Sequence, residues 1–206
     1  MSAEPIAETV MTQVDPIDLL IVFEEASPMP IRPEYVEGTV IVPPQPDFNH
    51  SDGAFRLACQ LRTGGFELAA IGMGFRAAHQ DGTTMSLLIP DFYVLRREPS
   101  ELDTSYRKAH KGWYPMDMID MVGEVTSTNH ETDTGPKLRT YAAAGVPVYV
   151  LINRHAKTAH CHTDPVLPGE DPTEAYYASE VKVDLGDPLP LPAPYPTLDT
   201  APFREA

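Results

Sequence analysis

Two carboxylates in this chain stand where strands would hold them fixed: Asp91, directly after Pro90, and Glu124, inside the apolar run MVGEVT. A buried charge without a partner is costly or takes up a proton, so a glutamate flanked by Val122 and Val125 calls for a cation, a proton or water. Side chains alternate along a strand, which puts Glu124 on one face with Val122 and Thr126 and sends Met121, Gly123 and Val125 to the other. Lys137 follows Asp133 by four residues, on the same side of an expected helix, and can reach back over Glu124. Two acids beside an ammonium group suit a metal-dependent phosphodiesterase. Hard oxygen ligands hold Mg2+ or Mn2+, the ion acidifies a water, and the lysine orients that water or stabilises charge on phosphorus.

Each residue also has a plainer reading. Asp91 can cap a turn, Glu124 can belong to a buried structural ion pair, and Lys137 can be a surface charge paired with Asp133. Glu34 is a further acid near the first strand, although Glu37 competes for that place, and His50 reads as part of a helix start. His155, His160 and His162 with Cys161 suggest zinc. Alternation turns Cys161 away from both flanking histidines, however, and a polar hairpin edge explains the run without metal. Gly72-Met73-Gly74 lacks the strand-then-helix setting of a phosphate loop and reads as a bulge.

Several elements must position these groups. Asp15-Pro16 starts a short helix through Phe23. EYVEGTVIV, Glu34 to Val42, reads as two short strands about a turn at Glu37-Gly38. Asn49 or Ser51 caps a helix with Phe55, Ala58 and Leu61 on one face, stopped by Gly64-Gly65. Short strands follow over 66–71, 74–77, 85–90 and 92–95, and the polar stretch Arg96 to Pro115 reads as a functional loop with a helical turn near Tyr106. MIDMVGEVTS is a buried strand. A helix over Thr134 to Ala144, started by Asp133, leads into an apolar strand over Val146 to Ile152. His160 to His162 lies on a returning strand, and Tyr176 to Val183 adds another. The proline-rich end, containing PLPLPAPYP, is expected to wrap the surface in extended form.

The chain has 206 residues, 42% of them hydrophobic, and no composition break, which predicts one core. The expected organisation is a loosely packed tail over 1–14, a single domain over 15–185 and an extended tail over 186–206. No repeat period suggests a solenoid. The start MSAEPIAETVMTQ carries acids where a secretory signal carries bases, and no apolar run is long enough for a membrane span, so a cytoplasmic protein with Cys59 and Cys161 as free thiols is expected. Thirty acidic against fifteen basic residues give a net charge of −15, which repels a polyanion from most of the surface. The local exception is Arg96 to Lys111, where Arg96, Arg97, Arg107, Lys108 and Lys111 outnumber the acids. That strip either faces phosphates or is a solvated loop.

The runs EYVEGTVIVPP, His50, IPDFYVL, IDMVGEVTS, Asp133 with Lys137 and Tyr141, and AAGVPVYVLI occur in that order. Their ordered set resembles the Uma-two family of restriction endonucleases, within the PD-(D/E)XK nucleases, over about Glu34 to Ile152. The resemblance implies an α/β, restriction-endonuclease-like fold with a mixed central sheet flanked by helices. It also implies a Mg2+- or Mn2+-dependent endonuclease acting on DNA, with catalytic roles on Asp91, Glu124 and Lys137 and with Glu34 as a third metal acid beside Asp91 and Glu124. A homodimer follows by analogy with nucleases of this fold. The sequence departs from the wider pattern at Thr126, where the lysine two residues after the glutamate is usual, and at Val148 and Asn153. Lys137 then either takes the displaced role, or the chain is a nuclease-fold binding or assembly module without catalysis. A hydrolase for a less anionic substrate is a third expectation.

Overall fold

A computed structural model describes residues 14–127 and 130–204, so the tail expected over 1–14 lies, apart from Val14, outside the described residues. Asp15 caps the first helix through its side chain to the Ile17 amide, with Pro16 at the first turn, where its missing donor costs nothing. In chain order the elements are α1 (Pro16–Ala26), β1 (Glu34–Val36), β2 (Thr39–Ile41), α2 (Phe48–Thr63), β3 (Ala69–Ala70), β4 (Phe75–Ala78), β5 (Thr84–Leu88) and β6 (Phe92–Leu95). They continue with α3 (Glu101–Ala109), β7 (Tyr114–Pro115), β8 (Ile119–Val125), α4 (His130–Thr134), α5 (Pro136–Ala143), β9 (Val148–Asn153), β10 (Thr158–Val166), β11 (Tyr176–Asp184), β12 (Pro188–Leu189) and β13 (Leu198–Asp199).

The architecture is mixed α/β. A six-stranded sheet runs β11-β10-β9-β8-β6-β3, a five-stranded sheet runs β2-β1-β5-β4-β7, and β12 pairs with β13. Within the six-stranded sheet β8 and β9 are parallel, joined across α4 and α5, and their neighbours are antiparallel. Alternation along β8 and β9 divides the interior. Met121, Val125, Val148, Val150 and Ile152 pack with Leu57 and Leu61 of α2. Ile119, Val122, Tyr149 and Leu151 pack with Tyr141 of α5 and with Val36 and Phe75 of the second sheet. Gly123 is glycine for a local reason. A Cβ there would lie 1.9 Å from the ring of Phe92, its register partner, which is itself fully buried.

Four segments differ from the sequence expectation, each for an identifiable reason. Helix α2 starts earlier, because Asp47 rather than Asn49 or Ser51 accepts the His50 amide as its cap. The stretch expected as a loop from Arg96 to Pro115 contains α3, started by a capping box between Ser100 and Asp103. The helix expected over Thr134 to Ala144 is α5, begun at Gly135-Pro136 rather than at Asp133, and a short helix α4 precedes it, kept apart because Pro136 restricts Gly135. In the proline-rich end, Leu189, Leu198 and Phe203 are buried in the α2-side core, and the ring of Phe203 takes the space a Cβ at Gly53 would need. Proline there limits pairing to the short β12-β13 ladder without preventing hydrophobic anchoring.

Candidate active site

The turn at Glu37-Gly38, with both residues at positive φ, folds β1 back on β2. Alternation then sends Glu34 and Val36 inward. Glu34 is 1% exposed and accepts the Ile89 amide at 2.6 Å, which ties β1 to the end of β5. Asp91 follows β5 and opens β6. Its Oδ2 accepts the Val125 amide at 2.7 Å and lies 3.1 Å from His50 Nε2 on α2. Glu124, 2% exposed, projects from β8 toward α5, where Tyr141 donates its hydroxyl to Oε1 at 2.8 Å. Lys137, in the first turn of α5, is 6% exposed. Its Nζ lies 2.9 Å from Glu34 Oε2, 3.3 Å from Glu124 Oε1 and 3.6 Å from Asp133 Oδ1.

These groups share one cleft of about 350 Å3, walled by Pro43, Pro44 and Pro46 and reached by Arg32. Four acids line it, Glu34, Asp91, Glu124 and Asp133, against the single ammonium of Lys137. Burial pushes the Glu124 carboxyl well above the usual range, with Lys137 opposing that shift. Burial likewise raises Asp133, to about 6, again against the pull of Lys137. For Lys137 burial works toward loss of the proton, but the combined field of Glu124, Glu34, Asp133 and Asp91 wins and holds its ammonium well above the ordinary value. Burial and then the Glu124 charge keep Tyr141 protonated, so it remains a donor. For His50, burial opposes the charged form, and the hydrogen bond and charge of Asp91 outweigh it to raise the imidazole.

The cleft is under-neutralised, and that excess of oxygen donors is what a hard cation needs. Glu34 Oε2 is buried without a hydrogen bond, its contact to Lys137 being an ion pair out of hydrogen-bond alignment. The donor set is all carboxylate, suited to Mg2+ or Mn2+. Its acids are drawn toward Lys137, however, and among the described residues the cleft does not bring three ligand atoms within 4.8 Å of one another.

Asp91, Glu124, Glu34 and Lys137, singled out in the sequence, all line this cleft. Sequence reasoning under-read three neighbours. Asp133 was placed as a helix start, yet its side chain faces Lys137, as the four-residue spacing allowed. Tyr149 donates to the Asp133 carbonyl at 2.7 Å, and His50 lies at the cleft rather than only at a helix start. No sequence spacing connects His50 to Asp91, which only the α2–β6 contact brings together. Thr126 is otherwise engaged: its hydroxyl accepts the Arg154 amide at 2.9 Å. Asn153 caps the following turn through the Ala156 amide. Glu37 points elsewhere, paired with Arg139 at 2.7 Å. The basic strip is largely neutralised in place. Arg97 pairs with Asp103, Arg96 with Asp120 and Lys111 with Asp18, and none of them lines the cleft. Of the two readings of that strip, these contacts fit solvated, locally paired charge better than a phosphate-facing surface.

Comparison with known proteins bears on the family and the fold. The family described as "Uma2: Putative restriction endonuclease" matches residues 23–198. A crystal structure of "a putative nuclease belonging to DUF820" from Anabaena variabilis ATCC 29413 superposes with a TM-score of 0.56 at 16% identity, covering 91% of this chain and 96% of that one, which establishes a shared fold. No curated protein matches the sequence. No helix among the described residues is long and apolar enough to cross a membrane.

Proposed function

The chain belongs to the Uma2 nuclease family, and on that premise we propose that its acidic cleft hydrolyses DNA phosphodiester bonds with the help of Mg2+ or Mn2+. The observation that carries this reading is the convergence of Asp91, Glu124, Glu34 and Lys137, from four different elements, on one cleft with surplus buried negative charge. Asp91 and Glu124 would hold the ion, with Glu34 as a further acid. When bound, a divalent ion acidifies water and offsets charge on the phosphoryl group.

The chain's own groups supply the rest. The Val125 amide and His50 orient Asp91, and Tyr141 orients Glu124. Lys137 keeps its proton and so serves as a hydrogen-bond donor to a water or a phosphoryl oxygen, not as a base. It thereby takes the place of the lysine that Thr126 displaces. Arg32 at the mouth, which donates to the Gly72 carbonyl at 2.9 Å, retains a positive charge to meet a phosphate. Against a net charge of −15, binding of a polyanion depends on the divalent ion and falls with added salt.

Purified protein should nick or cut DNA with Mg2+ or Mn2+, and Asp91→Ala should reduce cleavage to background. If wild-type protein cuts no DNA across metals and salt concentrations, the proposed activity is wrong. A second reading, a binding module on a nuclease fold, is favoured by one observation: Lys137 already occupies the carboxylates a metal would take. Calorimetry separates the two. An intact site binds Mn2+ in a manner lost in Glu124→Ala, whereas the inert scaffold binds none.

A further inference from the structure

Strand β10 carries His160 and His162 on the sheet face that also bears Tyr149, while Cys161 between them is buried in the opposite, α2-side core. The two imidazoles are nearly parallel, with centroids 5.8 Å apart and planes 5° apart, as i and i+2 residues of a strand should be. The antiparallel partner β11 places Glu180 opposite His162 in register. Glu180 Oε1 lies 2.6 Å from His160 Nδ1 and 3.9 Å from His162 Nε2. Among the described residues this is the one group of three potential ligand atoms within 4.8 Å of one another.

Two further features point to a ligand. His162 is 9% exposed, and its Nε2 is buried without a hydrogen-bond partner, facing Glu180 beyond bonding distance. An orphaned buried nitrogen of that kind costs roughly 1–3 kcal/mol unless something fills the gap. On the far side of His160, Nε2 meets Thr158 Oγ1 at 2.7 Å. Without an ion the Nδ1–H donates to the Glu180 carboxylate at 2.6 Å; an ion at Nδ1 would replace that proton, and an Nε2–H directed at Thr158 would then give the outer-shell arrangement common to metal-binding histidines. Lys182 stands opposite His160 in register but is exposed, where solvent screens its charge.

We propose that His160, His162 and Glu180 form a second divalent-metal site, selective for a borderline ion of the Zn2+ class, separate from the all-carboxylate cleft. Two imidazole nitrogens and one carboxylate oxygen match Zn2+ or Co2+ and not Mg2+. The two histidines sit mid-strand on β10, paired on both sides, and Glu180 on the edge strand β11, so a bound ion would pin that exposed strand to the sheet.

Titration of the full-length protein, with cysteines kept reduced, tests this directly. Co2+ should produce the visible absorption of a nitrogen-containing low-coordination site, and Zn2+ should displace it at one equivalent per chain. Asp91→Ala, which disrupts the cleft, should leave that signal intact. Glu180→Gln, a shape-preserving change on an exposed strand, and His160→Gln should each weaken Zn2+ binding by more than the roughly 10–100-fold typical of losing an outer-shell partner. Zn2+ should also raise the melting temperature of wild type but not of Glu180→Gln. Absence of Zn2+ binding in wild type, or affinity unchanged in both ligand variants, would overturn the proposal.

Discussion

Between Arg96 and Lys111 three of the five basic side chains have an acid of their own nearby: Arg97 with Asp103, Arg96 with Asp120, Lys111 with Asp18. In the cleft three buried acids, Glu34, Glu124 and Asp133, share one lysine, and Asp91 has only His50 beside it. The first region has the higher density of positive charge and looked the better phosphate site in the sequence, yet it is electrostatically settled. The second is net negative and unsettled. What distinguishes a candidate site here is the imbalance left after local pairing, not the sign or number of charges in a segment.

The sharpest way to break this contrast is Lys137→Ala. It leaves Glu34 and Glu124 buried without their cation, and a loss of about 3–5 kcal/mol in unfolding free energy is expected. The deficit should depend on pH. Burial already raises Glu124, and Lys137 restrains that rise. A carboxyl raised on folding contributes stability below its unfolded pKa that is lost as pH rises through the folded one. Removing the restraint moves the folded value higher still, so denaturant melts should show a smaller deficit near about pH 5 than near about pH 8. An equal deficit at both would mean that the acids do not feel the lysine.

Tyr141→Phe is the next largest. It deletes the hydroxyl that Glu124 accepts and leaves that oxygen short of a donor, with an expected cost of about 1–3 kcal/mol. If the reading of the cleft is right, cleavage should fall further than stability alone explains.

Within the settled region, Arg97 and then the Ser100 side chain and amide hold the Asp103 carboxyl well below its usual range. The stabilisation is therefore present above the unfolded pKa and disappears as pH falls through the folded one. Amide exchange in α3 should be insensitive to pH-linked opening near neutrality, should quicken in strong acid, and should quicken at neutral pH in Asp103→Asn. The smallest effect belongs to Lys111→Ala, whose pair with Asp18 is half exposed on both sides. A change below about 1 kcal/mol is expected in the same melts used for Lys137→Ala. A comparable loss at both lysines would erase the distinction between the regions.

Much of the frame was legible one residue at a time. Alternation along 121–125 correctly divides Met121 and Val125 from Val122, because a strand with two packed faces obeys a period of two, and it fails at Ile119, where a register shift against β6 turns that side chain to the Val122 face. Helical spacing places Tyr141 and Ala142 of α5 inward in the same way, but in α2 the expected Phe55 face is wrong: Phe55 is exposed, and Ala54 and Leu57 join Ala58 and Leu61 in the core. Of helix α3 only a turn near Tyr106 is legible although its capping box is a local signal, since its one buried residue, Asp103, is polar and leaves no apolar stripe to read. The burial of Leu189, Leu198 and Phe203 escaped because prolines mark an absence of ladder pairing and say nothing about which apolar side chains find a core.

The sequence by itself determined which side chains could share a face and which carboxylates would be difficult to solvate. Asp91, Glu124 and the Asp133-x-x-x-Lys137 spacing were visible because their oddity is local: charge in an apolar run, or a fixed helical offset. Only the tertiary structure decided who answers whom. Glu34 to Lys137 and His50 to Asp91 join elements far apart in the chain, and the meeting of Glu180 with His160 rests on the β10–β11 register. Such distances are set by sheet order and helix packing, which depend on the whole core and not on any one segment's composition.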